Sequence, residues 1–174
     1  MNLGIDLGGT KIEAAILDTA GNFLFRERVA TPQGDYPATL RAIQSLVSKA
    51  ESTLGQPVVA VGVGHPGSAN LLDGRIRNAN STCLNSQTLQ ADLQALLQQP
   101  LKLANDADCL ALSEATDGVA RDHASVFGVI IGTGVGGGWV INGQLHQGPN
   151  GLAGEWGHNP LPISSPEELP GQIG

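Results

Sequence analysis

Aromatic residues and basic residues are scarce in this sequence of 174 residues. Aromatic side chains make up only 3% of the chain while 41% of it is hydrophobic, so the core must be aliphatic. Nine lysines and arginines against sixteen acidic residues give a formal net charge of −7. Nucleic acid backbones are held by clustered basic side chains, so this balance excludes nucleic acid as a partner. It leaves open a small phosphorylated ligand, because backbone amides and a metal ion can hold phosphates.

Cysteine is limited to Cys83 and Cys109, whose spacing predicts neither a disulfide framework nor a structural zinc site. No run reaches the ~18 apolar residues of a membrane-spanning helix, and the N-terminus lacks the basic and apolar regions of a signal peptide. We therefore expect a cytoplasmic protein with no membrane partner.

The pattern of apolar residues predicts an α/β fold with a mixed sheet. Three short strands joined by turns open the chain as an antiparallel meander within residues 3–29. Helix, strand, helix, strand and helix follow. The first helix is capped by Asp35 and stopped by Gly55, and we expect the last helix to reach about Ala120. A polar, Asn-rich connection over residues 68–85 interrupts this order, and a connection of that length is often functional.

A strand, a glycine-rich turn and a return strand occur twice, the second time with the strand at residues 126–131, the turn at 132–138 and the return strand at 139–141. This repeat suggests two related lobes that face one another. We place an N-terminal lobe at residues 1–120 and the start of a second lobe at residues 121–162. Residues 163–174 are rich in Pro, Ser and Glu, and we expect this tail to be disordered.

The first glycine turn has the residue types of a phosphate-binding hairpin. Gly8 and Gly9 let the backbone turn its amides toward an anion and let the anion approach closely. Thr10 adds a hydroxyl, Lys11 adds a positive charge, and Asp6 is placed to hold Mg²⁺ through water. An ordinary hairpin turn explains the same residues about equally well.

The second glycine turn has five glycines in the seven residues from Gly132 to Gly138. It contains the GxGxxG pattern, but a strand is expected after it where a dinucleotide-binding fold has a helix, which argues against that class. Because each glycine costs roughly 0.5–1 kcal/mol relative to alanine, a purely structural loop is the weaker interpretation. Two such hairpins could clamp a triphosphate from both sides.

Asn105 and Asp106 lie between a predicted strand and a predicted helix. Both residue types are favoured helix caps, and that interpretation by itself is sufficient. A helix N-terminus also favours an ionised carboxylate, and phosphoryl transfer needs a carboxylate that orients and deprotonates the attacking hydroxyl. Asp106 is therefore our candidate general base. His65, which precedes Pro66, is given no role by the sequence.

A sugar ligand requires several directional hydrogen bonds, and a group of polar residues is able to supply them, although each alone is more often a surface residue. These residues are Asn78, Asn80, Ser81, Glu155 and His158.

Taken together, the motifs resemble the ROK family of bacterial sugar kinases. Five occur in the family's order and approximate spacing: DLGGTK at 6–11, NANS at 78–81, AND at 104–106, IGTGVGGG at 131–138 and GEWGHNPLP at 154–162. KIEAA together with GEWGHNPLP is most similar to the fructokinase or mannokinase branch. The resemblance implies a ribonuclease H-like ATPase fold of the actin and hexokinase type, with a complete N-terminal lobe and the beginning of a second lobe.

By this resemblance the cofactors are ATP and Mg²⁺, and the substrate is a hexose, with fructose or mannose first, phosphorylated at its primary hydroxyl by Asp106 as base. The residues implied to bind the nucleotide are Asp6, Gly8, Gly9, Thr10, Lys11, Thr133, Gly134, Gly136 and Gly137. The residues implied to bind the sugar are Gly67, Asn80, Asn105, Asp106, Glu155 and His158. We also expect a homo-oligomer.

Zinc is the point at which the sequence departs from the family pattern. In the family's kinases the histidine that matches His158 joins three downstream cysteines to bind zinc, but here no cysteine follows Cys109. A four-ligand site cannot be built from His158 alone, so we do not expect bound zinc. The chain also stops before the rest of the second lobe. The alternative interpretation is therefore a truncated, catalytically inactive sugar-binding or interaction protein derived from such a kinase.

Overall fold

The structure is a computed structural model that describes residues 1–132 and 135–158, with only the backbone of His158. Packing divides the chain into two compact units, residues 1–106 (unit 1) and residues 107–174 (unit 2). The lobe boundary expected at residue 120 stays a prediction, and the tail expected to be disordered lies outside the described residues.

Unit 1 contains the predicted meander followed by alternating helices and strands. Its elements are β1 (Asn2–Leu7), β2 (Lys11–Leu17), β3 (Phe23–Ala30), α1 (Tyr36–Leu54), β4 (Ala60–His65), β5 (Ser68–Ala69), β6 (Ile76–Arg77), α2 (Leu89–Leu97) and β7 (Leu101–Asn105). The limits of α1 agree with the prediction, because Asp35 Oδ1 accepts a hydrogen bond from Ala38 N at 2.8 Å and Gly55 ends the helix with a φ of 65°.

A five-stranded sheet in the order β3-β2-β1-β4-β7 forms the frame of unit 1. β2 is antiparallel to both β1 and β3, whereas β1, β4 and β7 run parallel to one another. The sheet is therefore mixed, as predicted, and the carboxyl ends of three strands meet at one edge. The aliphatic core lies on the sheet face that α1 and α2 cover, and it includes Leu3, Ile5, Ile12, Val61, Val63, Ile43, Leu46, Leu89 and Leu93.

The connection over residues 68–85 is more regular than the sequence predicts. β5 and β6 pair as a short hairpin, and a 3₁₀ turn, Thr82–Leu84, follows. Ile76 is buried in the core, and its backbone exchanges hydrogen bonds with Ser86 and Gln87. A two-residue strand is too short to show an alternating pattern, so only the packing of Ile76 reveals it.

Unit 2 is built around a three-stranded antiparallel sheet in the order β10-β9-β8. Its elements are α3 (Asp106–Thr116), β8 (Ser125–Ile131), β9 (Val135–Ile141), β10 (Gln144–Leu145) and a 3₁₀ turn (Trp156–His158). The first residue of α3, Asp106, is also the last residue of unit 1. None of the helices in the described part of the chain is long and apolar enough to cross a membrane.

Two predicted boundaries in unit 2 are wrong. The return strand, expected at residues 139–141, starts at Val135, so Gly136 to Gly138 lie in the strand and pair with β8. Glycine is a weak strand former, and its presence hides a strand from pattern reading. The helix expected to reach residue 120 ends at Thr116, because Glu114 Oε2 accepts a hydrogen bond from Val119 N at 3.0 Å and the chain turns there.

Candidate functional site

Polar side chains collect at the edge of the unit 1 sheet where β1, β4 and β7 end. Asp6 of β1 pairs with Gly64 of β4, and His65 pairs with Asn105 of β7. Asp106 follows immediately as the first residue of α3. Ligands of open α/β sheets bind beyond the carboxyl ends of parallel strands, so this edge is the candidate site.

The carboxylate of Asp106 is close enough to Asp6 to raise the pKa of Asp6. Burial is the largest cause that raises the pKa of Asp6, followed by the charges of Asp106 and Glu13, while Arg28 acts in the opposite direction. Much of the Asp6 surface nevertheless stays exposed, so the Asp6 carboxylate is only partly desolvated and a ligand can reach it. Mg²⁺ is usually held by one or two carboxylates and several waters, and this pair of oxygen donors suits such a cation.

Gly67 lies against the loop before Ser81 and orients Asn105. Its carbonyl accepts a hydrogen bond from Asn105 Nδ2 at 2.8 Å. Its φ is 76°, and a Cβ added there would lie 2.5 Å from Arg77 O and 2.8 Å from Ala79 N. Only glycine has both the backbone freedom and the space for this position. Within the structure, Gly67 therefore holds a side chain that we predict to bind sugar.

The loop that carries Asn80 lies against the first glycine hairpin. Asn80 is exposed, and the Ser81 hydroxyl oxygen is 3.3 Å from the position that a Cβ on Gly9 would take. Asn85 binds both backbone polar groups of Ala79. Asn85 is not among the residues predicted from the sequence, because nothing in an Asn-rich connection distinguishes it from the other Asn residues there.

The hairpin from Gly8 to Lys11 is closed by backbone contacts and supported from outside. Gly8 N donates to Lys11 O at 3.0 Å, and a Cβ on Gly8 would lie 2.8 Å from that oxygen. Thr31 Oγ1 donates to Gly8 O at 2.7 Å, and Thr31 N donates to Thr10 O at 3.0 Å. Thr31 is also absent from the predicted residues. A rigid turn without side chains at its first two positions is a cradle that fits the phosphates of a nucleotide.

The glycines of β9 have a packing role that the sequence interpretation ranked lower. A Cβ on Gly137 would lie 2.8 Å from Gly154 O, and a Cβ on Gly138 would lie 2.5 Å from Ala107 O. Trp156 Nε1 also donates to Gly136 O at 3.2 Å. These glycines therefore let the segment around Glu155 and the start of α3 approach β9 closely.

Part of the predicted site falls where the structure gives no detail. Thr133 and Gly134 lie outside the described residues, and the side chain of His158 is not described. Glu155 is partly buried and follows Gly154, which packs on β9. Within residues 1–132 and 135–158, no group of three His, Cys, Asp or Glu side chains is arranged to hold a metal ion. The nucleotide role of Gly136 and Gly137 stays a prediction.

Comparison with known proteins gives consistent matches. The model of the ROK family matches residues 2–173. An N-acetyl-D-glucosamine kinase of Yersinia pestis is 42% identical over 173 residues, which is 99% of this chain and 67% of that protein. One of Yersinia pseudotuberculosis is also 42% identical over 173 residues, again 99% of this chain but 57% of that protein. The chain thus spans little more than half to two thirds of these curated relatives.

A solved structure shares the fold. The ROK family glucokinase from Streptomyces griseus in complex with glucose and AMPPNP superposes with a TM-score of 0.81 at 32% identity, over 92% of this chain and 50% of that chain. This match, together with the mixed sheet, confirms the predicted α/β class and the ribonuclease H-like, hexokinase-type fold.

Proposed function

The chain belongs to the ROK family, and we propose that the protein phosphorylates the primary hydroxyl of a hexose or N-acetylhexosamine, with ATP and Mg²⁺ as cofactors. The observation that carries this proposal is the meeting of Asp6, Asn105 and Asp106 at one sheet edge: the strand register places them there, and the charge of Asp106 is close enough to raise the pKa of Asp6. Hexokinase-type transfer needs these parts: a carboxylate base, oriented polar groups for a sugar, and oxygen donors for a cation.

On the sugar side, the groups we assign are held in fixed orientations. Asn105 is bound to Gly67 O, and Asn80 follows Ala79, whose backbone is held by Asn85. Preorganised groups of this kind lower the entropy cost of binding a polyhydroxylated ligand. Asp106 is exposed at the N-terminus of α3, and we propose that its carboxylate oxygen accepts the proton of the primary hydroxyl.

On the nucleotide side, Gly8 N already donates to Lys11 O, so we assign the backbone amides of Gly9 and Thr10 and the Lys11 ammonium group to phosphate oxygens. Asp6 holds Mg²⁺ through water. When bound, ATP supplies the phosphoryl group that is transferred. We assign the second glycine segment, from Thr133 to Gly137, to the same ligand.

The names of the relatives bear on the choice of sugar. The two curated relatives described above are N-acetyl-D-glucosamine kinases, and the solved glucokinase holds glucose. We therefore rank N-acetylglucosamine and glucose first. Fructose and mannose, which the motif resemblance favours, follow as further candidates.

The test is ADP release by the purified protein with ATP, Mg²⁺ and each of these four sugars, together with calorimetric titration of each sugar. Asp106→Asn should lower kcat by about 10²–10⁴-fold, the usual contribution of a general base, with little change in KM for the sugar. Asp117→Asn makes the same chemical change at an exposed residue and should leave kcat unaltered.

Two results would count against the proposal. Sugar binding without turnover in the wild-type protein would support the inactive sugar-binding protein instead. Full turnover in Asp106→Asn would contradict the role of Asp106. Light scattering of the same preparation tests the expected homo-oligomer.

A further inference from the structure

His65 is a polar residue in an aliphatic row. The core-facing positions of β4 are Val61, Val63 and His65, and His65 is only 1% exposed. Burying an imidazole among aliphatic side chains is unfavourable unless the ring makes hydrogen bonds, and a leucine or valine would fill the same kind of position without that cost. The histidine therefore calls for a reason beyond packing.

The imidazole ring of His65 is hydrogen-bonded to the backbone of the next residue, Pro66. Its Nδ1 lies 3.0 Å from Pro66 O. A carbonyl oxygen only accepts, so Nδ1 carries the hydrogen and the bond fixes the peptide between Pro66 and Gly67. Burial is the main cause that lowers the pKa of His65, against the smaller effects of the Pro66 bond and of Asp106. The ring is thus a neutral donor.

That peptide leads directly to the site. The next carbonyl, Gly67 O, accepts the hydrogen bond from Asn105 Nδ2 at 2.8 Å. His65 also lies opposite Asn105 in the register of β4 and β7. The φ and ψ angles of Gly67 link these two carbonyls, and the backbone of Arg77 and Ala79, packed closely against Gly67, leaves those angles little freedom. The result is a relay of two hydrogen bonds through three consecutive residues to Asn105.

We propose that His65 is a positioning residue for sugar binding: its Nδ1–H holds the Pro66 carbonyl, and the Gly67 carbonyl then fixes which way the Asn105 amide faces. This role rests on the proposed function, because it assigns the sugar to Asn105. A planar amide whose Nδ2 points at Gly67 turns its Oδ1 away from that carbonyl. If the hydrogen bond from His65 is lost, the Pro66–Gly67 peptide becomes more mobile. The Asn105 amide then samples orientations with Nδ2 or with Oδ1 toward Gly67, and sugar binding weakens.

Three substitutions of His65, to Asn, Gln and Leu, separate this role from simple packing. In His65→Asn, the side-chain Nδ2 stands close to the position of the histidine Nδ1 and is able to donate to Pro66 O. In His65→Gln, the donor is one bond farther along the side chain, as the histidine Nε2 is. Both variants are polar and uncharged, so they place similar chemistry in the core. His65→Leu removes the donor altogether.

The first measurement is steady-state kinetics with sugar and ATP varied in turn. We expect His65→Gln and His65→Leu to raise KM for the sugar about tenfold, the equivalent of ~1.4 kcal/mol, with KM for ATP changed less than about twofold. His65→Asn should restore KM for the sugar to within about threefold of the wild type. Equal sugar KM values in all four proteins would overturn the proposal.

The second measurement does not depend on sugar turnover. The side-chain NH₂ resonances of Asn105, assigned by their loss in Asn105→Asp, are recorded in the ligand-free protein. They should shift or broaden in His65→Gln and His65→Leu and stay near the wild-type position in His65→Asn. Unchanged resonances in folded His65→Leu would overturn the relay. Altered resonances in a protein that neither binds nor phosphorylates a sugar would retain the relay and reject the proposed function.

Discussion

Asn85 binds the backbone of Ala79 at both of its polar groups. Its Oδ1 accepts a hydrogen bond from Ala79 N at 2.9 Å, and its Nδ2 donates to Ala79 O at 3.0 Å. Asn85 N in turn donates to Thr82 O at 3.1 Å, so the side chain projects from a closed turn. One amide thereby holds the loop that carries Asn80, a residue we assign to the sugar.

Replacing this amide with a carboxylate tests its importance. Asn85→Asp keeps the acceptor for Ala79 N but loses the donor and places a negative oxygen against Ala79 O. The free energy of unfolding should fall by about 1–3 kcal/mol, and sugar affinity should fall with it. Urea denaturation and calorimetric titration measure the two effects. Gln144→Glu, the same chemical change at an exposed residue of β10, should alter neither.

A comparison of alanine substitutions at Gly67 and Gly55 separates the cost of backbone strain from the cost of steric conflict. Both have positive φ, 76° and 65°, but an added Cβ meets Arg77 O at 2.5 Å only at Gly67, while nothing lies within 4 Å at Gly55. Gly55→Ala should cost about 1 kcal/mol for the left-handed conformation alone. Gly67→Ala should cost clearly more and should weaken sugar binding through Asn105. Equal losses in thermal unfolding would show that the loop relaxes at no cost.

The hydroxyl of Thr31 supports the hairpin from Gly8 to Lys11, which we assign to the nucleotide. Thr31→Val keeps the shape of the side chain but removes the hydrogen bond to Gly8 O. We expect about 1 kcal/mol lower stability and weaker ATP binding, with sugar affinity unchanged. Thr31→Ser retains the hydroxyl and should bind ATP like the wild type. Fluorescence titration with a nucleotide analogue compares the three proteins, and loss of ATP affinity in Thr31→Ser would contradict the role of the hydroxyl.

Asp6 should make stability depend on pH in a defined direction. Its pKa in the folded protein is raised above the value of about 3.9 in an unfolded chain, so the folded state binds the proton more tightly. The favourable contribution is complete below the unfolded pKa and is lost as pH rises through the folded pKa. Asp6→Asn should therefore be more stable than the wild type at pH 7, and this advantage should shrink toward pH 4.

The measurement for Asp6 is urea denaturation of both proteins across that pH range, with Asp117→Asn at an exposed position as the control. A stability difference that does not change with pH would show that neither burial nor the neighbouring carboxylates raise the pKa of Asp6. The same substitution should lower kinase activity, because a group retained at the expense of stability is typical of functional sites.

Local patterns predicted most of unit 1. The alternation of apolar residues in β1 and β2, and the cap and stop of α1 at Asp35 and Gly55, depend on neighbours along the chain and are legible in one sequence. The hairpin β5–β6 and the start of β9 could not be predicted from the sequence, because a two-residue strand has no period and glycines carry no strand signal. Asn85 and Thr31 were missed because their partners are backbone groups that no pattern marks.

By itself, the sequence determined the order of the longer helices and strands, the two glycine segments and the placement of Asp106 between a strand and a helix, since each follows from residue types within a few positions. Only the tertiary structure decided that Gly67 O receives the amide of Asn105, 38 residues later, and that Ser81 lies beside Gly9. Those contacts depend on the register of β1, β4 and β7. Backbone pairing and burial of the core set that register across long connections, and a one-residue slip would turn every side chain to the other face.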